Sequence, residues 1–155
     1  MSYKLSPVPH ANLWDTTTQA FSGSTTGQNV KLNSIGDHGR GVTIVDQYQI
    51  HFSNPGHYLI VFSAIFSQSS GTNVEYNIWG QEDGVDIPES NTTALIKDSG
   101  TATVVAASMI VHSTGSNYTS LRWWASSANG RLLAVAAGDR PLVPSILITV
   151  NKVSN

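Results

Sequence analysis

The chain has 155 residues, a length that suits one domain able to bury its own core. Only 12% of the residues are charged, and the 8 basic and 10 acidic side chains form no basic patch, which argues against nucleic acid as a partner. The absence of cysteine excludes a disulfide framework, a thiolate metal site and a cysteine nucleophile. No apolar run approaches the roughly 18 residues of a membrane-spanning helix, so we expect no membrane partner.

Residues 1–20 differ from the rest of the chain. They lack the apolar stretch of a signal peptide, and Pro7 and Pro9 favour an extended backbone. We therefore predict an extended N-terminal arm over residues 1–20, followed by one globular domain over residues 21–155. The apolar side chains that could anchor this arm to another protein are Tyr3, Leu5, Val8, Leu13 and Trp14.

The segment from Tyr58 to Phe66 is the strongest strand candidate. It is rich in β-branched and aromatic residues, and turn-forming residues bound it, Asn54-Pro55-Gly56 before it and Ser69-Ser70-Gly71 after it. Both of its alternating faces are largely apolar, which is typical of a strand in a sandwich or at a subunit contact.

Eight further segments show a similar pattern of short apolar runs. They are Val42–Val45, Gln47–Phe52, Val74–Trp79, Thr93–Ile96, Thr103–His112, Tyr118–Ala125, Leu132–Ala136 and Ser145–Val150. Gly, Pro, Asn, Asp or Ser occupies nearly every gap, and no stretch carries a convincing helical period. The sequence therefore predicts an all-β fold, as an antiparallel sandwich, jelly roll or barrel.

Motifs of catalytic chemistry are missing from this pattern. The chain has no G-x-S-x-G, and its glycine clusters lack the Lys-Ser/Thr of a phosphate-binding loop. The carboxylates around Gly84 lack the EF-hand spacing and favour an Asp-Gly hairpin turn. His51 and His57 could meet across a hairpin, and threefold symmetry could gather such histidines around a metal, but ordinary strand-end histidines are the favoured interpretation. We predict a protein without catalytic residues, cofactor or metal.

Trp123 and Trp124 form the densest aromatic stretch of the chain. On a strand they point to opposite faces, so one lies in the core and the other faces outward. The outward tryptophan is a candidate for an interface or for stacking on a ligand, with cover for a local apolar patch as the alternative. A one-residue slip in register exchanges the two, so their assignment stays open.

Several segments, taken in order, carry a family resemblance. They are Asn29–Asn33, the strand Gly56–Ser63, the strand Tyr76–Trp79 with the hairpin Asp83–Ser90, and the closing segments Ala137–Asp139 and Pro141–Val150. Together they resemble the jelly roll of C1q and tumour necrosis factor, particularly the short trimeric versions in virion proteins of tailed phages. The resemblance covers about Phe21 to Val153.

The resemblance implies a homotrimer in which one sheet of each subunit packs toward a threefold axis. We expect the interface to use apolar and aromatic side chains, namely Tyr58, Ile60, Phe62, Phe66, Trp123 and Trp124.

Two roles are compatible with such a trimer. The first is a phage capsid decoration or cement protein, made in the host cytoplasm and placed on the virion, whose arm binds the major capsid protein. The alternative is the receptor- or glycan-binding head of a tail or head fibre, with loops such as Gly80–Ser90 or Ser113–Asn117 facing a cell-surface glycan. No fibrous shaft precedes Phe21, which favours the decoration role.

Overall fold

The computed structural model describes residues 8–136 and 138–155. Over these residues the chain consists of β-strands joined by turns, which confirms the predicted all-β class. The strands are β1 (His10–Asp15), β2 (Gln19–Ala20), β3 (Gln28–Asn29), β4 (Ser34–Ile35), β5 (Val42–Val45), β6 (Gln49–Phe52), β7 (Gly56–Gln68), β8 (Thr72–Glu82), β9 (Val85–Asp86), β10 (Thr92–Asp98), β11 (Ala102–Ser113), β12 (Tyr118–Ala125), β13 (Gly130–Leu132) and β14 (Ile146–Ser154). In this part of the chain, no helix has the length and apolar character needed to cross a membrane.

The strands form two antiparallel sheets. Sheet I has the order β4-β1-β14-β7-β11, with β13 pairing the end of β7 and β2 pairing β13. Sheet II has the order β10-β8-β12-β6-β5, with β3 on β12 and β9 on β8. Strands from opposite ends of the chain thus lie side by side. The C-terminal strand β14 pairs with β1 on one edge and with β7 on the other, which is the pattern of a jelly roll.

Alternating residues of both sheets fill the space between them. The largest buried side chains include Trp123, Tyr58, Tyr76, Phe62 and Phe66. Phe66 stacks on Tyr76 with ring centroids 4.7 Å apart. The Tyr58 hydroxyl donates a hydrogen bond to the Asn54 carbonyl oxygen at 2.8 Å, so the ring is buried while its hydroxyl keeps a hydrogen-bond partner. Burying a large apolar side chain contributes about 1.5 to 3 kcal/mol, so each of these aromatic residues stabilises the fold.

The predicted arm is wrong for the residues after Pro9. β1 pairs with β14 along its whole length, from His10 opposite Asn151 to Asp15 opposite Ile146. Leu13 is fully buried in the core, and Trp14 is half-buried. β1 forms part of sheet I because its residues alternate. Its inward residues pack into the core, while polar residues such as Asn12 face outward.

The other apolar residues predicted for the arm precede β1 in the chain. Tyr3 and Leu5 lie outside the described residues. Val8 is 59% exposed, just before the chain enters β1. The segment that precedes the first strand is therefore residues 1–9 rather than 1–20.

The predicted strand Leu132–Ala136 is mostly wrong. β13 ends at Leu132, and beyond it Val135 makes only an isolated bridge to Val143. The prolines at 141 and 144 lack an N–H, so this stretch cannot continue a regular ladder before β14. Ala137, which contributed to the family resemblance, lies outside the described residues.

Candidate functional site

Five of the six residues predicted for a subunit interface lie inside the subunit. Tyr58, Ile60, Phe62, Phe66 and Trp123 are each at most 2% exposed. The inward faces of β7 and β12 direct them between the two sheets, so they have no surface to offer a second subunit. The prediction was wrong because a strand with two apolar faces does not reveal which face is the core. The sixth residue, Trp124, is half-buried on the outside of sheet II.

The outer side of sheet I is the first candidate surface, and we call it the uncharged face. It comprises the outward residues of three adjacent strands, which are Val104, Ala106, Ser108, Ile110 and His112 of β11, His57, Leu59, Val61, Ser63 and Ile65 of β7, and Leu147, Thr149 and Asn151 of β14. None of these positions holds Asp, Glu, Lys or Arg.

Large apolar side chains on the uncharged face stand well out of the sheet. Val104 is 65% exposed, Ile110 is 62% exposed and Val61 is 40% exposed. The register places Ile110 directly opposite Leu59, so apolar groups meet across the strands. A contiguous exposed apolar surface of this kind is typical of a protein interface.

Two histidines lie at one end of the uncharged face. His57 and His112 are register partners on β7 and β11, with ring centroids 5.1 Å apart. His57 also shares a hydrogen bond between its Nδ1 and Ser154 Oγ at 3.1 Å. His51 lies in sheet II beside Tyr118, at a centroid distance of 5.7 Å, and so belongs to a different surface from His57. Among the residues that the structure describes, no three His, Asp or Glu side chains converge as a metal site.

The second candidate surface is a cavity of about 380 Å³ on the outer side of sheet II. Its lining residues are Thr25, Thr26, Asn77, Trp79, Asp86, Ile87, Glu89, Asn91 and Trp124. The strands position the central ones, since Asn77 and Trp79 both face outward on β8 and Trp124 is the register partner of Asn77 on β12.

The predicted Asp-Gly hairpin turn at Gly84 is confirmed. Asp83 and Gly84 have φ of +47° and +79°, as a tight turn requires, which brings Asp86 back beside Gln81.

The indole of Trp79 is held at both ends. Its Nε1 donates a hydrogen bond to Asp86 Oδ1 at 2.6 Å. Its far edge lies against Gly27, where a Cβ would stand only 2.6 Å from Trp79 Cη2. Gly27 also has a φ of +79°, which disfavours any other residue. The ring is therefore fixed before any ligand arrives, and little side-chain entropy is left to lose on binding.

Asp86 provides the cavity with a stable negative charge. Its Oδ1 accepts a second hydrogen bond, from Gln81 Nε2 at 2.8 Å. The hydrogen bonds from Gln81 and Trp79 lower the pKa of the Asp86 carboxyl below its usual range. Both donors reach the same oxygen, so Oδ2 receives no hydrogen bond from the described side chains. That oxygen is free to accept one from a ligand.

Sequence reasoning found part of this cavity. It singled out the hairpin around Gly84 and an outward tryptophan, which the structure identifies as Trp124. It named the loop Gly80–Ser90, which contains Asp86, but missed Trp79 and its contact with Asp86, because that hydrogen bond depends on how the hairpin pairs Gln81 with Asp86. The available signal was the alternation on β8, which places Trp79 on the same face as Glu75 and Asn77.

Comparison with known proteins identifies the fold. No protein-family model matches the chain, and no curated protein matches its sequence. The structure is similar to the globular domain of zebrafish complement 1qA protein, with a TM-score of 0.59 and 12% identity over 95% of this chain and 98% of that one. It is also similar to Eiger TNF from S. frugiperda, with a TM-score of 0.57 and 10% identity over 96% and 94% of the two chains. For murine APRIL the TM-score is 0.54, at 7% identity over 95% and 100%.

These similarities confirm the predicted C1q/TNF-like jelly roll. At identities of 7% to 12% they establish the fold alone. What the chain does must therefore be argued from its own two outer surfaces.

Proposed function

We propose that the chain is a non-enzymatic structural protein that assembles as a homotrimer through its uncharged face. The observation that carries this proposal is the chemistry of that face, since none of the positions that form it holds Asp, Glu, Lys or Arg. Burying a charge that lacks a partner is costly, whereas Val, Ile and Leu gain from leaving water and Ser, Thr and Asn can bond across an interface. A threefold arrangement is the one implied by the resemblance to the C1q and tumour-necrosis-factor jelly roll.

The composition of the uncharged face also suits a symmetric interface between subunits. Interface centres are depleted in charged residues, as this face is. Threefold contacts form when a patch on one copy meets a different patch on the next, and the rotation closes into a ring. The proposed interface uses the outward residues of β7, β11 and β14. It therefore does not involve the buried residues that the sequence analysis predicted for the interface.

The mass of the full-length chain in solution tests the trimer. Sedimentation equilibrium is expected to give three times the 16.6 kDa of one chain. A monomer at micromolar concentration would overturn the proposal, and a stable dimer would overturn its threefold form.

For the biological role, we propose a phage capsid decoration or cement protein that binds the major capsid protein on the virion surface. In support of this role, Pro9 is held at a defined place on the domain, because the Lys152 N–H donates a hydrogen bond to the Pro9 carbonyl oxygen at 3.0 Å. A trimer then carries three copies of the segment before Pro9, attached at equivalent positions. Three weak contacts act together through their high effective concentration.

The copy number of the protein in purified particles tests the decoration role. Quantitative mass spectrometry against the major shell protein is expected to give comparable numbers. A handful of copies per particle would overturn decoration. In addition, deleting residues 1–7 is expected to leave the trimer folded, because β1 begins at His10, but to abolish shell binding. Retained binding would show that the N-terminus is not the shell contact.

The second candidate role is the receptor- or glycan-binding head of a fibre. The cavity between Trp79 and Trp124 favours it, since paired aromatic rings beside carboxylates and amides suit a polar ligand with flat apolar faces. A low copy number together with binding in this cavity would select this role over decoration.

A further inference from the structure

We infer that the cavity lined by Trp79, Trp124 and Asp86 binds one residue of a neutral saccharide. The sugar would pack an apolar ring face on indole and donate hydroxyl hydrogen bonds to the carboxylates. The inference deepens the second candidate role, on which it rests for its biological setting. The contacts that form the site lie within one subunit and do not depend on trimer formation.

The two tryptophans form the apolar part of the site. They lie on the same side of sheet II, because Trp124 pairs with Asn77 and Trp79 pairs with Arg122, one outward position further along. Such diagonal neighbours stand about 7 to 8 Å apart between backbones, so their side chains can contact one ligand. Small-molecule sites start at about 300 Å³, and a cavity of about 380 Å³ therefore suits a small ligand such as one sugar ring.

The polar part of the site alternates acceptors and donors. Asp86 Oδ2 and the Glu89 carboxylate can accept hydrogen bonds from hydroxyl groups, and such charge-assisted bonds are stronger than neutral ones. Asn91 donates to Asn77 Oδ1 at 2.9 Å, which fixes both amides at the edge of the cavity. The hydroxyls of Thr25 and Thr26 complete the opposite edge and can either donate or accept.

The charge of the site selects against acidic sugars. Asp86 and Glu89 contribute two carboxylates, and no Lys or Arg is among the described residues that line the cavity. The nearest cation in the sheet, Arg122, directs its guanidinium at backbone oxygens of the loop, with 2.6 Å to Gly27 and 3.3 Å to Thr26. The positive charge of Arg122 acts on Asp86, but its hydrogen bonds go to these backbone oxygens, so a uronic acid or sialic acid would add a third carboxylate beside Asp86 and Glu89.

The experiment uses ligand-observed saturation-transfer NMR on the full-length protein. The neutral probes are glucose, galactose, mannose, rhamnose and N-acetylglucosamine, and the anionic probes are glucuronic acid and N-acetylneuraminic acid. We expect saturation transfer to at least one neutral sugar, with millimolar affinity, and none to the acids.

Two variants and one control locate the binding. Trp124→Ala and Asp86→Ala are each expected to lose the signal, the first by removing a stacking surface and the second by removing an acceptor. Leu95→Ala, at a position that is 55% exposed on the same side of sheet II but outside the cavity, is expected to keep it. Far-UV circular dichroism confirms that each variant is folded, and Asp86 is exposed enough to be replaced without disturbing the core.

Three outcomes would overturn the inference. They are no transfer to any neutral sugar, equal transfer to the acidic sugars, and binding that survives in both variants. None of them alters the solution mass or the copy number, so failure here is distinct from failure of the proposed assembly or decoration role.

Discussion

The two sheets have inner faces of similar composition, but their outer faces differ in chemistry. Inside, both alternate large apolar residues toward a common core. Outside, β7 of sheet I presents Leu59, Val61 and Ser63, whereas β8 of sheet II presents Glu75 and Trp79. The inner faces explain why the chain folds, and the difference between the outer faces is the basis for the proposed subunit interface on sheet I and the proposed ligand site on sheet II.

Placing one charge at the centre of the uncharged face is expected to have the largest effect. Val61 lies between Ser108 and Thr149 in the register, at the middle of the face. Val61→Arg would bury three unpaired charges in a trimer, each costing several kcal/mol, so we expect dissociation to folded monomers. Size-exclusion chromatography with light scattering measures the change.

The matched control places the same charge on the other sheet. Leu95 is 55% exposed on β10 of sheet II. Leu95→Arg is expected to leave the mass unchanged. If both variants dissociate, or neither does, the contrast between the two outer faces does not govern assembly.

Gly27→Ala is expected to have the next largest effect, and on sheet II alone. The new Cβ would stand 2.6 Å from Trp79 Cη2 and 2.9 Å from the Trp123 carbonyl oxygen, at a φ of +79°. Strain and overpacking of this kind cost about 1 to 3 kcal/mol. We expect a lower free energy of unfolding and loss of saccharide binding with the trimer intact, measured by chemical denaturation and by saturation transfer. Gly100→Ala, where a Cβ meets nothing within 4 Å at a φ of +84°, is the control for backbone strain without a clash.

Truncating one exposed side chain on the uncharged face is expected to have a smaller effect. Ile110 is 62% exposed in the subunit, so Ile110→Ala should barely change the stability of the monomer. In a trimer the lost burial would cost about 1 to 2 kcal/mol per copy. Sedimentation over a concentration series should show weaker association. An unchanged association constant would place Ile110 outside the interface.

The fold was predictable from sequence because it depends on local signals. Turn residues and alternating patterns located β5 and β12 at their observed bounds. The surfaces were harder, since the pattern of Tyr58 to Phe66 is apolar on both faces and register alone decides which is buried. β1 was mistaken for an arm because its few apolar residues become a core only once β14, at the far end of the chain, pairs with it.

The smallest expected effect concerns the charge of Asp86 and its dependence on pH. Hydrogen bonds from Gln81 and Trp79 lower the pKa of this carboxyl in the folded protein, so the ionised form is favoured by folding. The resulting stabilisation is present above the unfolded pKa, near 4, and is lost as the pH falls through the folded pKa. Because Asp86 is exposed and solvent screens its interactions, we expect the contribution to be small.

Asp86→Asn isolates this contribution, because the amide oxygen can still accept from Trp79 and Gln81 while the charge is removed. The free energy of unfolding of the wild type should exceed that of the variant at neutral pH, and the difference should shrink as the solution is acidified below about pH 4. Denaturant titrations at a series of pH values measure it. A difference that stays constant into strong acid would mean that the charge of Asp86 does not stabilise the hairpin.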